Sequence, residues 1–217
     1  MALIDHFRRR AIRDQATAAA FIDEQSFQLA ETCVLDYSRR RAGAESGAAA
    51  LFTDPPLAAA LEKACWEAYP RALVMVGTLA EGTLRSYAGE NAHAMLFGLI
   101  AMMLEQFDRR PVPRAIGEAA WRAARADLER SLNDLARARP KTPEELARDH
   151  SGFYLAIMPL HPKLGPDDFA SLRNQLKLSL QHIQEGFAQR ANLLALAGEL
   201  AGRVPKVEAS EAPSAPA

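Results

Sequence analysis

Alanine and leucine make up most of the apolar side chains in this sequence, 43 and 27 residues against 6 valines and 7 isoleucines. Ala and Leu lose little on entering a helix, whereas the β-branched residues that suit a pleated strand are scarce. Nowhere do four or more residues alternate cleanly between apolar and polar within turn signals, so no strand is expected. The sequence therefore reads as all-α, a single bundle of six to seven helices. That reading removes the strand-to-helix turns on which phosphate loops, dinucleotide fingerprints and nucleophile elbows are built, and none of those motifs occurs.

A chain of 217 residues can bury a core without staples. Its formal net charge of −1 gives no whole-chain attraction for nucleic acid, so none is expected as a partner. The cations are 21 Arg and 5 Lys, a bias that with the alanine forms the bacterial-like composition a GC-rich genome produces. Cys33 and Cys65 each fall inside an apolar helical stripe, and two cysteines make neither a disulfide framework nor a four-ligand zinc site. Both read as small buried hydrophobes in a reducing compartment. The longest apolar run, Ala94 to Leu104, is 11 residues, about half the ~20 that cross a bilayer. Met1 to Arg13 lacks the apolar stretch of a signal peptide. The expectation is a cytoplasmic protein.

Punctuation divides the chain. Residues 1–13 form a basic amphipathic lead, 14–202 the bundle, and 203–217 a disordered Ala/Pro/Ser tail with little to bury. The first long helix is expected from Asp14 to Ala42, facing inward along Ile22, Leu29, Cys33 and Tyr37. Thr53-Asp54-Pro55-Pro56 reads as a capped start with proline at the first helical position. That helix meets Pro70, which must kink or break it. With Ala94 to Leu104 apolar on every side, Glu90 to Asp108 is expected to be the buried central helix. The stripe Trp121, Leu128, Leu132 marks the next helix. Thr142-Pro143-Glu144-Glu145 is a capping box, and Gly165-Pro166-Asp167-Asp168 opens a last helix running to Gly202 with Phe169, Leu172, Leu176, Leu180, Ile183, Phe187 and Leu194 inward.

Few residues suggest chemistry. Glu90 and His93 have the Glu-x-x-His spacing of a metal-ligand pair on one helix face, but di-iron bundles need two such motifs, so no metal is expected. His150, Tyr154 and His161 lie near the Met158–Pro166 loop and would line a pocket there, as would His93 beside the kinked helix; no cofactor is expected. No Ser or Cys sits in a nucleophile turn, and no catalytic residue is assigned. Trp66, Tyr69 and Arg71 surround Pro70 and are residue types that dominate interface hot spots. Phe7 with Arg8, Arg9 and Arg10 follows Leu3 and Ile4 at helical spacing, a pattern that docks in a partner's groove or on an anionic membrane.

Together these features read as a non-enzymatic helical interaction factor, an adaptor, assembly factor or regulator that binds another protein. The alternative is a ligand- or cofactor-binding bundle, with enzymatic activity left open, whose pocket lies near the kinked helix and His93, His150 or His161. Peripheral contact with an anionic membrane surface and a homo-oligomer are left open.

Overall fold

A computed structural model describes residues 11–42, 54–159 and 166–203. In chain order these form α1 (Gln15–Glu31), a π-helical stretch Thr32–Asp36, α2 (Tyr37–Ala42), α3 (Pro55–Ala88), α4 (Ala92–Asp108), α5 (Gly117–Asp134), α6 (Pro143–Ile157), α7 (Pro166–Arg190) and α8 (Leu193–Gly202). No strand occurs among the described residues; the one sheet-like contact is an isolated bridge between Ile12 and Ala191. The chain is an all-α bundle, as its Ala/Leu bias dictates.

Local signals set the helix starts. Asp14 caps α1 by accepting from the Thr17 N–H at 2.8 Å. At α6 the Thr142 hydroxyl accepts from Glu145 N–H (3.2 Å), while the Glu145 carboxylate accepts from Thr142 N–H (2.9 Å), the reciprocal pairing expected of S/T-x-x-E. α3 does begin at Pro55, but the Asp54 side chain makes no capping bond; Thr53 lies outside the described residues. The Thr32–Asp36 stretch continues α1 into α2 with a widened turn, and Gln175 of α7 donates to the Thr32 carbonyl at 3.1 Å.

The centre of the bundle is α3 rather than α4. α3 packs against α1, α4, α5, α6, α7 and α8, and every residue from Ala72 through Glu81 is buried. α4 buries Met95, Leu96, Leu99, Ile100, Met102 and Met103 but leaves Phe97 40% exposed. Apolar composition on all faces marked α4 as central, yet position is decided by how many neighbours cover a helix. α3 also runs unbroken through Pro70. No helix among the described residues is long and apolar enough to cross a membrane.

Two contacts fix the C-terminal helices in place. The stretch expected as one helix to Gly202 breaks after Arg190, because Ile12 inserts its backbone there: its N–H donates to the Arg190 carbonyl (2.9 Å) and its carbonyl accepts from Asn192 N–H (3.1 Å). Asn192 then caps α8. The register resets, so Leu196 and Leu200 are buried while Leu194, expected inward, is 68% exposed. Residues 11–13 are accordingly extended rather than helical, and Ile12 is buried. The second contact is between α4 and α8. A Cβ on Gly98 would stand 2.0 Å from the Leu200 carbonyl oxygen, so only glycine lets these backbones approach.

These two contacts make the stability of the bundle testable. Gly98→Ala is expected to destabilise by at least about 1–3 kcal/mol, because backbone cannot rotate away. Gly152→Ala, with nothing within 4 Å of its Cβ, should stabilise by up to about 1 kcal/mol through helix propensity. Thermal melts of the pair should move in opposite directions. Likewise, a chain starting at residue 14 should melt several degrees below one starting at residue 11. Burying Ile12 contributes about 1.5–3 kcal/mol, at roughly 2–4 °C per kcal/mol. Equal midpoints would show that Ile12 does not anchor the bundle.

Candidate functional site

The segment Trp66–Val74 of α3 presents two faces. On one, Trp66 and Tyr69 join Phe27 of α1, Phe107 of α4 and Trp121 of α5 in an aromatic cluster. Phe107 and Trp121 stack at 4.1 Å between ring centres, Tyr69 stacks on Phe107 at 5.9 Å, and Trp66 meets Trp121 edge-on at 6.2 Å. Tyr69 is fully buried. Its hydroxyl donates to Asp23 Oδ1 at 2.5 Å and accepts from Arg110 Nε at 3.1 Å. Arg110 grips the same carboxylate in a fork, Nε to Oδ1 at 2.8 Å and a terminal nitrogen to Oδ2 at 2.7 Å. Burial, then the Asp23 carboxylate, pushes the Tyr69 hydroxyl far above its ordinary pKa, so it stays a neutral donor. Burial is the largest single influence and works against the Arg110 charge, but Asp23 and Tyr69 together outweigh it and hold its pKa above the usual value.

On the other face, α5 and α6 each lie on α3 with little contact between them, and a groove of about 90 Å³ opens in the gap. Its floor is Pro70, Val74 and Leu128; its walls carry Arg71, Asp127, Ser131 and Phe153. Pro70 has no N–H to return to the Trp66 carbonyl. The Arg71 guanidinium lies over the Phe153 ring at 5.1 Å from its centre. The acids nearby are paired elsewhere, Glu67 with Lys63 at 2.7 Å and Asp127 with Arg130. Arg71 makes no hydrogen bond or ion pair with any described residue.

The expected site residues separate. Arg71 is half-buried and lines the groove, Trp66 is half-buried in the cluster, and Tyr69 has no surface for a partner to touch. Phe7, Arg8, Arg9, Arg10 and His161 lie outside the described residues. Glu90 falls in a 3₁₀ turn and His93 in the first turn of α4, both exposed. The His93 ring packs edge-on against Phe97 at 4.6 Å. Among the described residues no three His, Cys, Asp or Glu converge on a metal-holding point. Tyr154 is buried, its hydroxyl without a hydrogen-bond partner among the described residues, and burial raises its pKa well above normal. Both cysteines are buried and neither forms a disulfide among the described residues; burial, then Glu31 and Glu62, push the Cys65 thiol up to about 12, so it is no thiolate at neutral pH. Asp23, Phe27, Phe107, Arg110 and Trp121 were not expected to meet. One signal was available: Asp23 stands a turn before Phe27 on the edge of a buried arc, where a charge needs a partner.

No family model, curated protein or solved structure matches this chain.

His150, half-buried on α6, provides a pH signature. Burial, then the charges of Arg71 and Lys141, push its pKa down to about 4, against about 6.5 in the unfolded chain. Between those values the unfolded state binds the extra proton. Stability is thus fully present above pH 6.5 and falls toward pH 4, by up to about 1.4 kcal/mol per unit. His150→Gln should flatten that part of the curve in urea melts at pH 7 and pH 5. An unchanged slope would show that His150 titrates normally.

Proposed function

We propose that this protein is a non-enzymatic helical interaction factor that seats an acidic side chain of a partner protein in the groove between α5 and α6. The observation that carries the reading is Arg71. Its guanidinium is half-buried and laid on Phe153, and it has no described partner for its five N–H donors. Stacking fixes the side chain beforehand, which lowers the ordering cost of binding. A carboxylate arriving between Arg71 and Ser131 takes a forked pair of hydrogen bonds and a hydroxyl contact. The groove volume, about 90 Å³, favours a partner's side chain over a cofactor, since small-molecule sites run to roughly 300–1,000 Å³. A depression of about 370 Å³ beside Thr142 and Arg173 reaches that range, but the cations Arg139, Lys177 and Arg148 around it are already paired with Glu145, Glu144 and Asp149. The basic stretch Phe7–Arg10 is a second, salt-sensitive contact in this proposal.

The test is a pull-down with the full chain and Arg71→Gln. Losing one side of a desolvated charge pair costs about 2–5 kcal/mol, at least about thirty-fold in affinity. The substitution also removes the stacking of the guanidinium on Phe153, worth only about 0.5–1 kcal/mol of stability, a few degrees of melting temperature. A protein retained by the wild type and released by Arg71→Gln is expected. Retention that survives the substitution, or a chain that retains nothing, sinks the proposal.

A further inference from the structure

The Arg110 guanidinium occupies a cage. Its carbon lies 4.7 Å from the Tyr69 ring centre, 5.1 Å from Phe27 and 5.9 Å from Trp66, within the range where a cation is held by aromatic faces. Asp23 meets its edge with two parallel hydrogen bonds, the geometry that distinguishes arginine from lysine. The Tyr69 hydroxyl shares the Nε–H that also reaches Asp23 Oδ1. Every feature matches recognition of one guanidinium, and the wall behind is rigid because Phe107 and Trp121 stack against Tyr69.

A core ion pair serving stability alone does not call for this construction. Apolar residues of the same volume often serve stability as well as or better than a buried pair. Nor is the cage sealed, since the Arg110 side chain is 21% exposed and that of Asp23 14%. The occupant arrives from the connector after α4. The Arg110 N–H bonds to the Phe107 carbonyl at 3.1 Å, so its side chain can leave while its backbone stays in place. Pro111 and an exposed Val112 follow.

We infer that Asp23, Phe27, Trp66 and Tyr69 form an arginine-recognition site, which the chain closes with its own Arg110 and which an arginine side chain of a partner protein occupies when Arg110 swings out. Exchanging one guanidinium for another preserves every contact in the cage. The barrier to a competitor is the effective concentration of the tethered Arg110, which is at least the roughly millimolar value of a short flexible linker because its backbone is already in place. The site is on a different face of α3 from the groove, shares no lining residue with it and does not depend on it.

The chain reports on this site itself, because its two tryptophans, Trp66 and Trp121, both belong to the cluster. Fluorescence titrations of the full chain with N-acetyl-arginine amide and N-acetyl-lysine amide test the inference. Arg110→Ala is expected to give a saturable response to the arginine amide at least about ten-fold tighter than wild type, given a millimolar internal competitor. The lysine amide should bind more weakly, and adding Asp23→Asn should abolish the response. Arg71→Gln should leave the titration unchanged. If Arg110→Ala lacks a native circular dichroism spectrum, Arg110→Lys, which keeps the charge but not the fork, carries the same expectation. A folded variant with no saturable response, or one equal for the two amides, overturns the inference. So does a wild type that never responds up to about 100 mM arginine amide, well above the flexible-linker value, because Arg110 is then held too firmly for a partner's arginine to displace.

Discussion

The bundle depends on a 34-residue helix that stays helical through a proline. Pro70 removes one backbone hydrogen bond and crowds the preceding turn, at a cost of about 3 kcal/mol or more. What offsets it is coverage. Tyr69, Leu73 and Met75 are all fully buried, and each large apolar side chain contributes about 1.5–3 kcal/mol when removed from water. Two or three such residues outweigh the proline, and α3 has many more. The helix therefore continues because its neighbours hold it, not because its own sequence favours it there. Both candidate sites lie within about a turn of Pro70, on different faces of this supported segment, so each borrows its rigidity from the core.

Local features of the fold were legible because they rest on short-range chemistry. The Thr142–Glu145 capping box, the proline starts at Pro55 and Pro166, the inward stripe through Leu172, Leu176 and Leu180, and the burial of Cys33 and Cys65 all follow from spacing over a few residues. What could not be read was set by distant parts of the chain. The break between α7 and α8 is made by Ile12, and nothing near Ala191 except Asn192 announces it. Phe97 belongs to an uninterrupted apolar run, yet whether it meets protein or solvent depends on which helices cover α4. The same limit hid the cage: Asp23 and Arg110 are 87 positions apart, and no periodicity links a helix face to a connector at that separation. Arg71 was legible by its company, because an arginine beside Trp66, Tyr69 and Pro70 stands out within seven residues. Tyr69, singled out on the same grounds, is core.

Arg71 and Arg110, each laid on an aromatic ring, show what decides a guanidinium's role. Genome composition accounts for how many arginines the chain has, but not for where these two lie. Each has an aromatic ring about 5 Å away, so stacking does not distinguish them. The carboxylate does. Arg110 has Asp23, and its fork is complete within the chain. Arg71 has acids nearby that are committed to Lys63 and Arg130. A stacked guanidinium with its fork satisfied holds two helices and a connector together; one with its fork open has its geometry fixed and its strongest bonds unmade. In the proposed reading α3 contributes to both halves of an arginine–carboxylate scheme, Trp66 and Tyr69 to the cage that Asp23 of α1 completes and Arg71 to the groove. Each is specified by which half of the pair the chain itself supplies.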